Sequence, residues 1–200
     1  VVQLAELTLA DVNPVEGSAW ALGTDDPEYR QLAEFAERRT DHYIIDVATG
    51  ARRLLLRNGA STMSPSPDGR YAVHYNGRDW LSLELLTGRV INLTSSLGVA
   101  FFNEEADSPN TPDAYGIAGS SKDSDRVLLF DRFDIWEITP DGQRATCLTD
   151  GEGRKQSIQF RYVRLEQPAE GSPRAPQSID PAKPLLLRAE NLRTRETGFY

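Results

Sequence analysis

The sequence predicts an all-β protein, a partial β-propeller of about four blades, each a small four-stranded antiparallel sheet. Three observations lead there: a hairpin pattern that recurs three times, a polar turn unit that precedes it, and a recurrence interval close to one blade. The hairpins are "DHYIIDVATGARRLLL" from Asp41, "DWLSLELLTGRVINLT" from Asp79 and "FDIWEITPDGQRATCLT" from Phe133. Each has an alternating apolar run, a Thr-Gly or Asp-Gly turn, and a second run closing on leucine. Gly50, Gly88 and Gly142 fall where the chain must reverse, which a residue without Cβ does at positive φ with little cost.

The second unit is "SPSPDGRYAVHYN" from Ser64 and "SSKDSDRVLLFD" from Ser120, with a shorter echo in "GSAWALGTD" from Gly17. One such unit followed by one hairpin makes four strands. Gly50 and Gly88 lie 38 residues apart, near the roughly 40–50 residues of a blade. Gly88 and Gly142 lie 54 apart, and the surplus is the insert "GVAFFNEEADSPNTPDAYGIAG". Short strands with regular turns favour radial blades over a sandwich.

Two stretches depart from this grammar. "DPEYRQLAEFAERR" from Asp26 places Tyr29, Leu32, Ala33 and Ala36 near a 3.6 period, so it reads either as a short helix or as an extended loop between strands. "LEQPAEGSPRAPQSIDPAKP" from Leu165 is proline-rich and aperiodic. Strand grammar resumes after it in "LLLRAENLRTRETGFY", so the expectation is a loop inside one domain spanning residues 1–200.

Composition sets the outer limits. The chain has 200 residues, 39% of them hydrophobic and 26% charged, as expected of a folded domain that needs no disulfide staples. A net charge of -8 opposes nucleic acid and anionic membrane surfaces as partners. No apolar run is long enough to span a bilayer. The chain opens at Val1 with neither an initiator methionine nor a signal sequence, and both ends read as cut from something longer. Arg52 and Arg53 sit among acids and read as a solvated face. The one cysteine, Cys147 in "ATCLT", reads as a buried structural thiol.

The phrases "SPDGRYAV", "NEEADSPNTPDAYGIAG" and above all "DRFDIWEITPDGQRATCLTDGEGRK" followed by "IQFRYVRLE" resemble the propeller portion of bacterial prolyl oligopeptidase family (S9-type) serine peptidases. The likeness runs from about Trp20 to Tyr200. It implies a ring of seven or eight blades capping a C-terminal α/β-hydrolase domain, which gates peptides and orients them over a Ser, Asp and His triad. That hydrolase domain is absent here: no Gly-x-Ser-x-Gly elbow occurs and no histidine follows His74, so no catalytic residue is assigned. The alternative is a TolB-like protein-interaction propeller with no catalysis. A weaker third reading is a stand-alone propeller glycosidase or lyase, which needs inward acids from several blades. The peptidase likeness implies peptide substrates and the hydrolase domain of the same parent chain as a partner, and it favours a periplasmic or exported location over a cytoplasmic one, the compartment itself being open; a homo-oligomer would also cover open sheet edges.

The candidate substrate-binding residues are Glu104 and Glu105. Some dipeptidyl peptidases of the resembled family grip a substrate's amino terminus with adjacent propeller glutamates, and an ammonium with three donors suits paired carboxylates. The rival is a solvated loop. Glu104, Glu105, Asp107 and Asp113, with Asn103 and Asn110, also offer the hard oxygens that Ca²⁺ prefers, but the spacing matches no EF-hand loop, and neither metal nor cofactor is assigned. His42 and His74 read as packed histidines, Trp20, Trp80 and Trp136 as packing between blades, and Asp131, Arg132 and Asp134 as an architectural ion network.

Overall fold

The computed structural model describes Leu4, Leu9 and residues 11–15, 18–25, 39–60, 63–107, 110–165 and 178–200. The ambiguous stretch at 26–38 and most of the proline-rich loop, 166–177, lie outside the described residues. The first sheet runs β1 (Asp11–Pro14), β2 (Trp20–Asp25), β3 (Arg39–Asp46) and β4 (Arg52–Ala60), paired in that order. The second repeats the plan with β5 (Met63–Pro65), β6 (Tyr71–Tyr75), β7 (Trp80–Glu84) and β8 (Val90–Asn92). The third has β9 (Ile117–Ser121), β10 (Val127–Phe130), β11 (Ile135–Ile138) and β12 (Ala145–Cys147). After a short helix, α1 (Glu152–Gln156), the fourth comprises β13 (Ile158–Tyr162), β15 (Leu187–Asn191) and β16 (Thr197–Phe199), with β14 (Ser178–Ile179) between them in sequence.

The sheets stack face to face. Every residue of β10 is buried, and its side chains divide strictly by parity. Val127 and Leu129 join Val73, Trp80, Leu93 and Phe101 of the second sheet and its connection. Leu128 and Phe130 join Ala118 and Ile135, with Tyr162 and Leu187 of the fourth sheet against them. The second sheet is likewise sandwiched, since Ala72 and Leu83 pack on Leu22 and Ile44 of the first. A strand apolar on both faces belongs between two neighbours, which is the packing of blades and not of a two-layer sandwich. The molecule is a nearly all-β partial propeller. The tryptophans pack as expected: Trp80 is in the core between the second and third sheets, Trp136 lies against it, and Trp20 lies against the core between the first and second.

The hairpin glycines take φ of 75°, 77° and 69° at Gly50, Gly88 and Gly142. Three features were not anticipated. Ser178–Ile179 leaves the proline-rich loop to lie parallel on β9 and cover its edge. The helix α1 interrupts a stretch with no helical period. Arg53, which reads from sequence as a solvated cation, instead donates from Nη2 to the carbonyls of Leu85 (2.5 Å) and Leu86 (2.8 Å), tying the first sheet to the second.

Candidate functional site

In an up-and-down blade, the turn after the second strand and the connection to the next blade fall at the same end. This end gathers the Asn76–Asp79 turn, the 93–116 connection, the Asp131–Asp134 turn and α1. Their joints are polar and local. Asn76 Oδ1 accepts from the N–H groups of Arg78 (3.0 Å) and Asp79 (2.8 Å), and Asp131 Oδ1 accepts from those of Phe133 (2.6 Å) and Asp134 (2.7 Å). The hydroxyl of Tyr75 donates to Pro112 O at 2.8 Å, fixing the far limb of the insert.

Asp131 and Asp134 are 1% and 2% exposed, and burial at that depth calls for each oxygen to be engaged. Asp134 Oδ1 accepts from Thr149 Oγ1 (2.6 Å) and Gly153 N (2.9 Å), and Oδ2 from Arg154 N (3.1 Å). The carboxylate thus satisfies two free N–H groups in the first turn of α1, a cap supplied from another element. Gly153 is obligatory, because a Cβ there would stand 2.6 Å from Asp134 Oδ1. Asp131 Oδ2 accepts from Trp136 Nε1 at 3.0 Å. Both aspartates are architecture, as expected, but they work mainly through hydrogen bonds from N–H and O–H donors.

The two candidate glutamates lie in the first half of the insert; one meets an arginine of α1 and the other an arginine of the Asp131–Asp134 turn. Arg154 Nη2 lies 3.2 Å from Glu104 Oε2, and Arg132 Nη2 lies 2.5 Å from Glu105 Oε1. Both guanidinium groups also sit near the ring of Phe133, 5.0 Å away for Arg132 and 5.2 Å for Arg154. Burial works against the charge of Arg154, but the Glu104 hydrogen bond and the fields of Asp131 and Asp134 outweigh it, holding its pKa above the ordinary arginine value. The backbone N–H of Glu104 donates to the hydroxyl of Tyr115 at 2.9 Å, and burial pushes that phenol's pKa up. Arg161 lies between the rings of Phe130 (4.8 Å) and Tyr115 (5.9 Å) and donates to the carbonyls of Phe160, Asp131 and Arg132.

The site is therefore a quartet of two carboxylate–guanidinium pairs whose guanidiniums share one aromatic ring. Glu104 and Glu105 are the candidates the sequence offers and Arg132 reads there as architecture, whereas Arg154 is singled out by nothing in the residue-by-residue reading. The "GRK" that followed "DRFDIWEI" in the family likeness was the available signal. Among the described residues, no three His, Cys, Asp or Glu side chains converge to hold a metal. His42 bonds Thr40 through Nε2 at 3.0 Å, while neither nitrogen of buried His74 has a hydrogen-bond partner among the described residues. Cys147 is half-buried rather than buried, and its sulfur accepts from Gly151 N at 3.2 Å.

Stacked four-stranded sheets with a polar end define the class: a run of propeller blades. No family model matches the chain, and no curated relative matches it either. Three of the solved structures it is similar to are as follows. One is a protein described as TolB from Agrobacterium tumefaciens, 15% identical, covering 98% of this chain and 67% of that one, with a TM-score of 0.47. Another is the β-propeller domain of the trilobed protease of Pyrococcus furiosus, 10% identical, covering 96% and 56%, with a TM-score of 0.44. A third is dipeptidyl peptidase 4 of Porphyromonas gingivalis, 11% identical, covering 94% and 32%, with a TM-score of 0.46. The chain thus spans about a third of that peptidase and about half of the trilobed protease's propeller domain.

Proposed function

We propose that this chain is the noncatalytic propeller of a prolyl oligopeptidase-like serine peptidase, gating and orienting peptides for a hydrolase domain elsewhere in the parent protein. Glu104 and Glu105 receive the peptide's amino terminus. The observation that supports the reading best is the quartet: adjacent carboxylates at one end of the blades, held by Arg154 and Arg132. An incoming ammonium replaces guanidinium partners on the same oxygens, and each freed arginine keeps Phe133 as a stacking partner and can turn to a peptide carbonyl. The competing reading, a TolB-like interaction propeller, draws support from the same pairs, because both carboxylates already have cations.

The test is calorimetric titration of the intact chain with Ala-Leu-Ala-amide, which carries a free amine and no carboxylate. Glu104→Gln and Glu105→Gln are each expected to weaken binding about tenfold, the effect of one charge-assisted hydrogen bond. Unchanged affinity in both variants would overturn the assignment and leave the interaction propeller as the better description.

A further inference from the structure

A recess of about 560 Å³ opens at the same end of the blades, immediately before the two glutamates in the chain. That volume is in the range of small-ligand sites. Val99, Ala100 and Phe102, each half-buried, supply apolar wall over the buried Phe101, and Arg78 and Asp79 stand on the second-blade side. Asp79 is already engaged, its Oδ2 accepting from Asn92 Nδ2 at 3.0 Å and its Oδ1 from Thr94 Oγ1 at 3.4 Å. Arg78 differs from the other arginines of this end. Arg132 and Arg154 have carboxylates and Arg161 has carbonyls, whereas the exposed guanidinium of Arg78 makes no ion pair with a described residue. On a chain of net charge -8, a cation left without a partner beside an apolar recess is a specific invitation. The hollow of about 480 Å³ at the other end, between Arg70 and Arg144, lacks this character, since its wall is polar and carries Asp125 and Asp141 beside the arginines, and Arg70 and Arg126 are paired with Asp68, Asp125 and Glu137.

We propose that the recess is a subsite for peptide segments in which an apolar side chain is followed by a carboxylate, the side chain seated against Val99 and Phe102 and the carboxylate on Arg78. The proposal rests on the peptide-binding reading above but not on Glu104 or Glu105. Asp79, beside Arg78, sharpens the selection, because an anion that enters without reaching the guanidinium meets only repulsion.

The probes are N-acetyl-Leu-Asp-amide and N-acetyl-Leu-Asn-amide, which lack the amine that the glutamates would grip. Titrated into the intact chain, the aspartyl probe is expected to bind about tenfold more tightly. Arg78→Gln should abolish that difference, Arg78→Lys should retain part of it, and Glu104→Gln should leave it unchanged. Arg78 lends only its backbone N–H to the local turn, so these variants keep the fold, which circular dichroism would verify. Equal affinity of the two probes, no binding by either, or a preference that survives Arg78→Gln would overturn the proposal. Failure of the free-amine titration alone would leave this subsite standing.

Discussion

Single residues at the polar end explain more of the architecture than their exposure suggests. Asp134 joins three parts of the chain by accepting from Thr149, Gly153 and Arg154. Its replacement by alanine strands those donors in a site that is 2% exposed, so unfolding in urea should show a loss of about 3 kcal/mol. Faster exchange of the Gly153 and Arg154 amides should accompany it; unchanged exchange would contradict the cap. His74 makes the opposite kind of contribution. Burial, with the nearby His42, pushes its pKa from 6.5 down to about 4, so the unfolded chain binds the proton more tightly than the folded one. The associated stability is fully present above pH 6.5 and is lost as pH falls from there towards 4, on the order of 3 kcal/mol. His74→Leu should flatten the stability profile in that window, whereas an unaltered slope would assign the acid sensitivity elsewhere.

The elements repeat at a finer grain than the hairpins first suggest. Ser66, Ser121 and Thr139 each begin the same six-residue turn, in which the hydroxyl donates to an aspartate two residues on and accepts from the N–H five residues on. The left-handed position is Gly69 in the first, Ser124 in the second and Gly142 in the third, with φ of 67°, 60° and 69°. The β15–β16 hairpin has Arg195 at φ 65°, where the β3–β4 and β7–β8 hairpins have Gly50 and Gly88. Arg195→Gly should therefore stabilise the chain by about 1 kcal/mol, since only the non-glycine residue strains there. Thermal melting checks this, and a lower midpoint would mean that the Arg195–Glu190 pair at 3.1 Å outweighs the strain. Glycine in the turn and alternation in the flanks made the strand pairs legible in the sequence. The α1 helix was illegible because its cap is Asp134, far upstream, and β14 because two residues carry no period. Glu104 and Glu105 were legible as adjacent acids, but their pairing with Arg154 and Arg132 depends on how the second-to-third connection folds over the next blade.

Across the whole molecule, stability depends on each sheet having a neighbour. Leu129 is fully buried between the second and third blades, and Leu129→Ala should cost about 2–5 kcal/mol, more than any exposed substitution on β12. Free first-strand edges are managed differently from blade to blade. Pro14 ends β1 and Pro65 ends β5, β14 covers β9, and Phe160 of β13 donates its N–H to Phe133 O at 2.7 Å. The acidic pair, its arginines and the Arg78 recess lie at the one end where the second-to-third connection, the Asp131–Asp134 turn and α1 meet, so packing and the proposed recognition share their parts. The most direct test of that recognition is the affinity of Ala-Leu-Ala-amide against its N-acetylated form, followed from pH 6 to pH 9. The free amine should bind and lose affinity as pH passes its pKa of about 8, with the acetylated form bound weakly throughout. Equal affinity for the two peptides, independent of pH, would contradict the role given to Glu104 and Glu105.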